Sequence, residues 1–181
     1  MSLGPMSSST RSAAFPFGFL PPFVAAGLCG TLRGMDETTK AIIEKITRRS
    51  SAGIGYDLAA LSPNDLARMA AEATGDLPEG TFDVVLGLAY RGILFAAAVA
   101  GGHQVAIFQL DGVIHGPALQ GRRVLLADDL YSGDGRFAAA ARAVESLGGE
   151  VIGCACIVDR TESGVVEDRF PVWSAFQTKD L

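Results

Sequence analysis

The chain has 181 residues, 49% of them apolar, and a net charge of -5. That is enough for one domain with a sizeable core, and with no basic block and no Lys or Arg interleaved with aromatics it does not suit a nucleic-acid surface. Three cysteines and two histidines without metal-ligand spacing exclude a zinc site and fit a reducing cytoplasm better than a disulfide framework, which leaves a small-molecule site as the expectation.

Residues 12–32 carry no charge and are strongly apolar, yet Pro16, Pro21, Pro22 and three glycines interrupt them. A membrane-spanning helix needs about 20 helix-compatible apolar residues, so 1–35 is expected to be an apolar tail, with one domain over 36–181 and no membrane span. From Asp36 to Arg49 the chain places acids first, cations last and Ala41, Ile42, Ile43 and Ile46 between, which predicts an amphipathic helix matched to its macrodipole. Ser50 to Leu61, with Gly53, Gly55 and Tyr56, reads as a short irregular strand or hairpin. Ser62, Pro63 and Asp65 then open a second helix whose inward face is Leu66, Met69, Ala70 and Ala73, ending at Gly75.

Thr81 to Gly87 reads as the first buried strand, and GLAYRG leads from it into an apolar helix, Ile93 to Ala100. A strand at Gln104 to Phe108 follows, then a gap, then RRVLLADDLYSGDG from Arg122 to Gly135. Here Val124 to Ala127 is the continuous apolar run of a strand covered on both faces, and Asp128-Asp129 is the first charge beyond it, which places both acids at the strand tip. A helix from Arg136 to Leu147 turns Phe137, Ala140, Val144 and Leu147 inward and stops at Gly148-Gly149. Val151 to Val158 is another strand, with Cys154 and Cys156 on one face as small buried thiols, and Pro171 to Phe176 closes the chain as an edge strand. Strands alternating with helices predict an α/β fold with a central, mostly parallel sheet flanked by helices.

The acid pair and the turn after it carry the chemistry. Two adjacent carboxylates can accept hydrogen bonds from vicinal sugar hydroxyls, while amides of Ser132, Gly133, Asp134 and Gly135 at a helix N-terminus can close round a phosphate. The combination suits a ribose 5-phosphate. On these residues alone, an ordinary strand-to-helix turn whose acids cap the helix is an equal alternative.

An apolar strand ending in Asp-Asp, two residues, and a Ser and Gly-rich turn resembles the ribose-phosphate motif of the type I phosphoribosyltransferases. Three further segments point to the orotate branch of that family. FDVVLGLAYRGI, Phe82 to Ile93, resembles its pyrophosphate-binding loop, Gly-x-Ala-Tyr-Lys-Gly, with Arg91 in the lysine position between Tyr90 and Gly92. IVDRTE, Ile157 to Glu162, resembles the segment whose arginine, here Arg160, grips the orotate carboxylate, and GVIHGPALQG, Gly112 to Gly121, resembles the connector into the Asp-Asp strand. The resemblance covers roughly Phe82 to Glu162. It implies a type I phosphoribosyltransferase-like fold with a small hood, and transfer of ribose 5-phosphate from Mg2+-bearing phosphoribosyl pyrophosphate to orotate. It further implies that Asp128 and Asp129 are catalytic, that Tyr90, Arg91, Gly92, Ser132, Gly133, Asp134 and Gly135 bind the phosphoribosyl substrate with them, and that the chain is a cytoplasmic homodimer.

Two departures stand beside the resemblance. The family's mobile lid between the strand ending near Phe108 and the connector is missing, and no lysine occurs between Lys45 and Lys179. Asp134 also stands where the family has a small residue facing phosphate. Slow transfer follows from the first, and the alternative function is a lid-less relative that binds a nucleotide or phosphoribosyl ligand for regulation or acts on another base.

Overall fold

A computed structural model describes residues 36–50, 53–161, 165–166 and 169–180. The expected tail, 1–35, lies outside the described residues. Helix α1 (Glu37–Ile46) is capped by Asp36, whose carboxylate accepts from the amides of Thr38 and Thr39. It ends three residues short of the predicted Arg49, because the chain turns into a hairpin of β1 (Thr47–Ser50) and β2 (Gly53–Tyr56) whose cross-strand pairing takes the backbone groups a longer helix would need. Helix α2 (Pro63–Thr74) opens with the reciprocal Ser62–Asp65 capping box, as the sequence predicts.

The rest of the chain is one seven-stranded sheet. Its strands are β3 (Val84–Leu88), β4 (Gln104–Phe108), β5 (Ile114–His115), β6 (Arg123–Tyr131), β7 (Glu150–Asp159), β8 (Val165–Val166) and β9 (Phe170–Gln177), interleaved with α3 (Gly92–Ala100) and α4 (Arg136–Ser146). The order is β5-β4-β3-β6-β7-β9-β8, parallel from β4 to β9 and antiparallel at both edges. β9 is therefore not the edge strand its position at the chain end suggests, since β8 pairs along its outer side. Alternate residues of each central strand face opposite layers. Val85, Leu125, Ala127, Ala155 and Ile157 pack with α1, α2 and α3, and Leu86, Leu126, Cys154 and Cys156 pack with Phe137, Ala140 and Val144 of α4. Both cysteines are free and buried on one face.

From β3 the chain steps outward to β4 on one side and then returns to β6 on the other. The carboxyl ends of β3 and β6 therefore flank the point where strand order reverses, the place at which open α/β sheets bind ligands. The register matters here. β3 pairs with β6 only as far as Gly87 opposite Ala127, whereas β6 continues against β7 through Leu130–Val158 and Tyr131–Asp159. Asp128 and Asp129 are thus inside β6 rather than beyond its tip, held in extended backbone by β7 at the point where β3 has already turned away.

At the neighbouring corner, β4 and β5 form a tight hairpin closed by the five residues Gln109 to Val113, with Gln109 N–H donating to Val113 O and Gly112 N–H to Gln109 O. This hairpin stands between Phe108 and the connector, where the family resemblance would place a lid. No helix among the described residues is long and apolar enough to cross a membrane.

Candidate functional site

The β3–α3 connection passes directly over the acids of β6. A Cβ added at Gly92 would lie 2.6 Å from Asp128 Oδ1 and 2.8 Å from Ala127 O, so only glycine lets α3 begin this close to the acid strand. The loop before it contains a cis Ala89–Tyr90 peptide, and it leaves Tyr90 76% exposed at the rim. Arg91, next in line, points its guanidinium back, with Nε 3.3 Å from Asp129 Oδ2, while remaining 71% exposed.

Asp128 and Asp129 are 1% and 5% exposed. Asp129 N–H donates to Asp128 Oδ1 at 2.8 Å. The Oδ2 atoms are different. Each lies within ion-pair distance of a guanidinium, Asp128 Oδ2 2.9 Å from Arg136 Nη1 and Asp129 Oδ2 3.3 Å from Arg91 Nε, yet neither accepts an aligned hydrogen bond. Both oxygens are thus buried acceptors held by charge rather than by an aligned hydrogen bond. Burial, and then the charge of Asp129, push the Asp128 carboxyl up to about 7, with Arg136 pulling the other way.

Residues 132–135 form an exposed turn in which Gly133 and Gly135 adopt φ of 71° and 81°, a left-handed region open to glycine at little cost. Asp134 folds forward onto the residue two positions on: Oδ1 accepts from Arg136 N–H at 3.1 Å, and Oδ2 lies 2.9 Å from Arg136 Nε. Burial raises its carboxyl, but these contacts outweigh it and hold the carboxyl below the usual range. Arg136 thereby bridges Asp134 and Asp128.

The β7 end completes the edge. Arg160 N–H donates to Tyr131 O, which fixes exposed Arg160 beside the end of β6. Fully buried Asp159 accepts from Thr161 N–H and Oγ1 at 2.8 and 2.7 Å, anchoring this corner, and Thr161 packs close to Gly133.

Every residue predicted from the sequence for the site therefore lies along one carboxyl edge, with the Asp pair between the β3–α3 loop and the glycine turn. The sequence reading missed Arg136 and Asp159. Arg136 left a signal, since a cation in the first helical turn runs against the macrodipole and implies a partner elsewhere. Asp159 left none beyond its place at a strand end. Among the described residues, no group of three or more His, Cys, Asp or Glu could hold a metal ion.

Known proteins resemble this chain in sequence and fold. No protein-family model matches the chain. Adenine phosphoribosyltransferase of Cereibacter sphaeroides is 37% identical over 108 residues, covering 46% of this chain and 60% of that protein. The chain thus spans about 60% of the length of the first curated relatives it matches. Adenine phosphoribosyltransferase of Cenarchaeum symbiosum is 31% identical over 120 residues, 54% of this chain and 71% of that protein. Among solved structures, orotate phosphoribosyltransferase of Mycobacterium tuberculosis in complex with 5-phospho-α-D-ribosyl 1-diphosphate superposes with a TM-score of 0.64 at 26% identity, covering 82% of this chain and 95% of that one. Adenine and orotate enzymes alike resemble it in sequence and fold, and the chain belongs to the type I phosphoribosyltransferase family.

Proposed function

We propose that the chain transfers ribose 5-phosphate from phosphoribosyl pyrophosphate to a nucleobase, and that the base is orotate. The observation that carries this is the pair of buried Asp oxygens without hydrogen bonds, beside a glycine-rich turn at the point where strand order reverses. In this reading Asp128 and Asp129 accept hydrogen bonds from the vicinal ribose hydroxyls. Ser132 and the amides up to Gly135 hold the 5-phosphate, and Tyr90, Arg91 and Gly92 face the pyrophosphate. Mg2+ carried by the phosphoribosyl pyrophosphate would supply charge stabilisation to the leaving group, with Arg91 the residue of this chain that faces it.

The bond from ribose C1 to the pyrophosphate oxygen breaks with its electron pair leaving on pyrophosphate. A ring nitrogen of the base forms the new bond to C1, and that nitrogen's proton passes to water. The centre between these events is oxocarbenium-like, so the chain's task is positioning and charge stabilisation, and no protein nucleophile is needed. Arg160, exposed on the same edge, supports orotate because its cation suits a carboxylate. The adenine enzymes among the relatives support adenine as the second reading.

The five-residue hairpin at the lid position supports slow turnover. Lid cations act as charge develops on the departing group, and loss of one preorganised donor typically costs about a hundredfold or more in rate. The test is calorimetry with phosphoribosyl pyrophosphate and Mg2+, followed by a pyrophosphate-release assay over orotate, adenine and other bases. Orotate-dependent release that Arg160→Ala abolishes supports the reading, adenine-dependent release moves it to the other base, and binding without release on any base favours a regulatory role. Failure to bind the phosphoribosyl substrate refutes it.

A further inference from the structure

We infer that Arg136 is an exchangeable counter-ion: it holds Asp128 until a 5-phosphorylated ribose arrives, then passes to that phosphate, so that the phosphate becomes the condition for ribose binding. The inference rests on the ribose 5-phosphate reading of the site and adds to it a residue and a selectivity.

Arg136 is the first residue of α4, where the helix dipole disfavours a cation, and it is only partly exposed. What holds it there is two carboxylates, Asp134 at 2.9 Å from Nε and Asp128 at 2.9 Å from Nη1. The two contacts differ in kind. Asp134 is exposed and accepts an aligned bond, whereas Asp128 Oδ2 is buried and accepts none. The contact with Asp128 is therefore an ion pair without an aligned hydrogen bond, and with Nη1 2.9 Å away over a buried oxygen, a ribose hydroxyl must take the place of Nη1 to make that aligned bond.

That substitution displaces the guanidinium. A displaced guanidinium with no new partner is a loss, and Asp134 alone offers it one carboxylate. A phosphate in the turn 132–135 offers it a second, in the forked geometry that guanidinium matches best. The turn needs the cation equally. Asp134 occupies the amide of Arg136 with its own carboxylate and sets a negative charge at the mouth of the phosphate turn, so a phosphate entering there is repelled unless Arg136 neutralises the pair. A ribose lacking the phosphate meets a floor still covered and gives Arg136 nowhere to go. Arg91 makes the corresponding contact with Asp129, but it is largely exposed and has one carboxylate partner among the described residues, so its release is less constrained.

The experiment is calorimetric titration of the full chain with ribose 5-phosphate and with ribose, for wild type, Arg136→Ala, Arg136→Lys and Asp134→Ala, with melting curves to show that each variant is folded. Wild type is expected to bind ribose 5-phosphate and discriminate strongly against ribose. Arg136→Ala is expected to lose about 10- to 100-fold in affinity for ribose 5-phosphate, the scale of one charge-assisted contact, without losing affinity for ribose, so that the selectivity for phosphate shrinks. Arg136→Lys is expected to fall between, keeping the charge without the fork. Asp134→Ala is expected to move the other way, tightening ribose 5-phosphate binding several-fold. Arg136→Ala that binds ribose 5-phosphate as tightly as wild type, or Asp134→Ala that weakens it, overturns the role of Arg136 alone. Wild type that binds neither ribose 5-phosphate nor phosphoribosyl pyrophosphate overturns the site reading as well.

Discussion

Asp128→Asn tests whether the acid pair is strained by its own burial. The Asp128 carboxyl sits at about 7 in the folded chain against 3.8 for the ordinary group, first because of burial and next because of Asp129. Between those two values the folded state binds the proton that the unfolded state has released. Stability is therefore greatest below about 4 and falls as pH rises through 7. At about 1.4 kcal/mol per pH unit the gap corresponds to an upper bound of about 4 kcal/mol of destabilisation above neutrality. Asparagine keeps the Oδ1 acceptor that Asp129 N–H needs and removes the charge, but it forfeits the attraction to Arg136 and buries an amide, so about half the bound, about 2 kcal/mol, is the expected net gain. For a chain of this size that raises Tm by about 4–8 °C at about pH 8. Below pH 7 the gain should shrink by about 1.4 kcal/mol per pH unit, as the folded carboxyl keeps the proton that the unfolded one releases, reaching zero at about pH 5.5 and reversing below it. Calorimetric melting without ligand at several pH values reads this directly. A variant that melts lower than wild type at pH values above neutrality would show that the Asp128–Arg136 attraction exceeds the cost of burial, and that Asp128 is a structural residue.

Asp129→Asn should abolish binding of phosphoribosyl pyrophosphate in calorimetry while leaving the far-ultraviolet circular dichroism unchanged; retained affinity would remove Asp129 from the ribose floor. Gly92→Ala places a Cβ 2.6 Å from Asp128 Oδ1 and should destabilise by about 1–3 kcal/mol and lower ligand affinity, with denaturant unfolding as the check. Asp83 pairs with Arg123 through both carboxylate oxygens, tying the start of β6 to β3, and hydrogen bonds from Arg123 hold its carboxyl down at about 2. Its stabilisation is present above the ordinary 3.8 and is lost as pH falls through about 2, so Asp83→Asn should lower Tm at neutral pH and flatten the acid limb, with binding unaffected. Light scattering should give the mass of two chains, and one chain at micromolar concentration would refute the proposed homodimer.

Much of this architecture was legible because its signals are local. Val84 to Leu86 and Val124 to Ala127 are unbroken apolar runs, as strands covered on both faces must be, and Ser62, Pro63 and Asp65 spell a helix start. The extension of β6 through Asp128-Asp129 was not legible. Charges normally end a strand, and only pairing with β7 reveals that these do not. The shortness of the connection after Phe108 followed from counting residues to the connector, whereas the β4–β5 hairpin that it forms and the pairing of β8 along β9 join segments with no distinguishing pattern. At the site, the acids and glycines were readable as types in sequence. The Arg136 bridge was hidden, because it depends on a side chain reaching eight positions back across a turn.

The hairpin that replaces the lid also guards the sheet. A parallel sheet ends in a strand whose outer backbone groups invite another chain, and β4 would be that strand. β5 covers Ile107 and Phe108, and the connector lies so close to Ala106 that a Cβ at Gly116 would come within 2.7 Å of the Ala106 Cβ, which shields the next residue as well. A longer loop grafted between Phe108 and Ile114 must therefore preserve the β4–β5 pairing and the contact at Gly116, or it will uncover an edge and drive self-association.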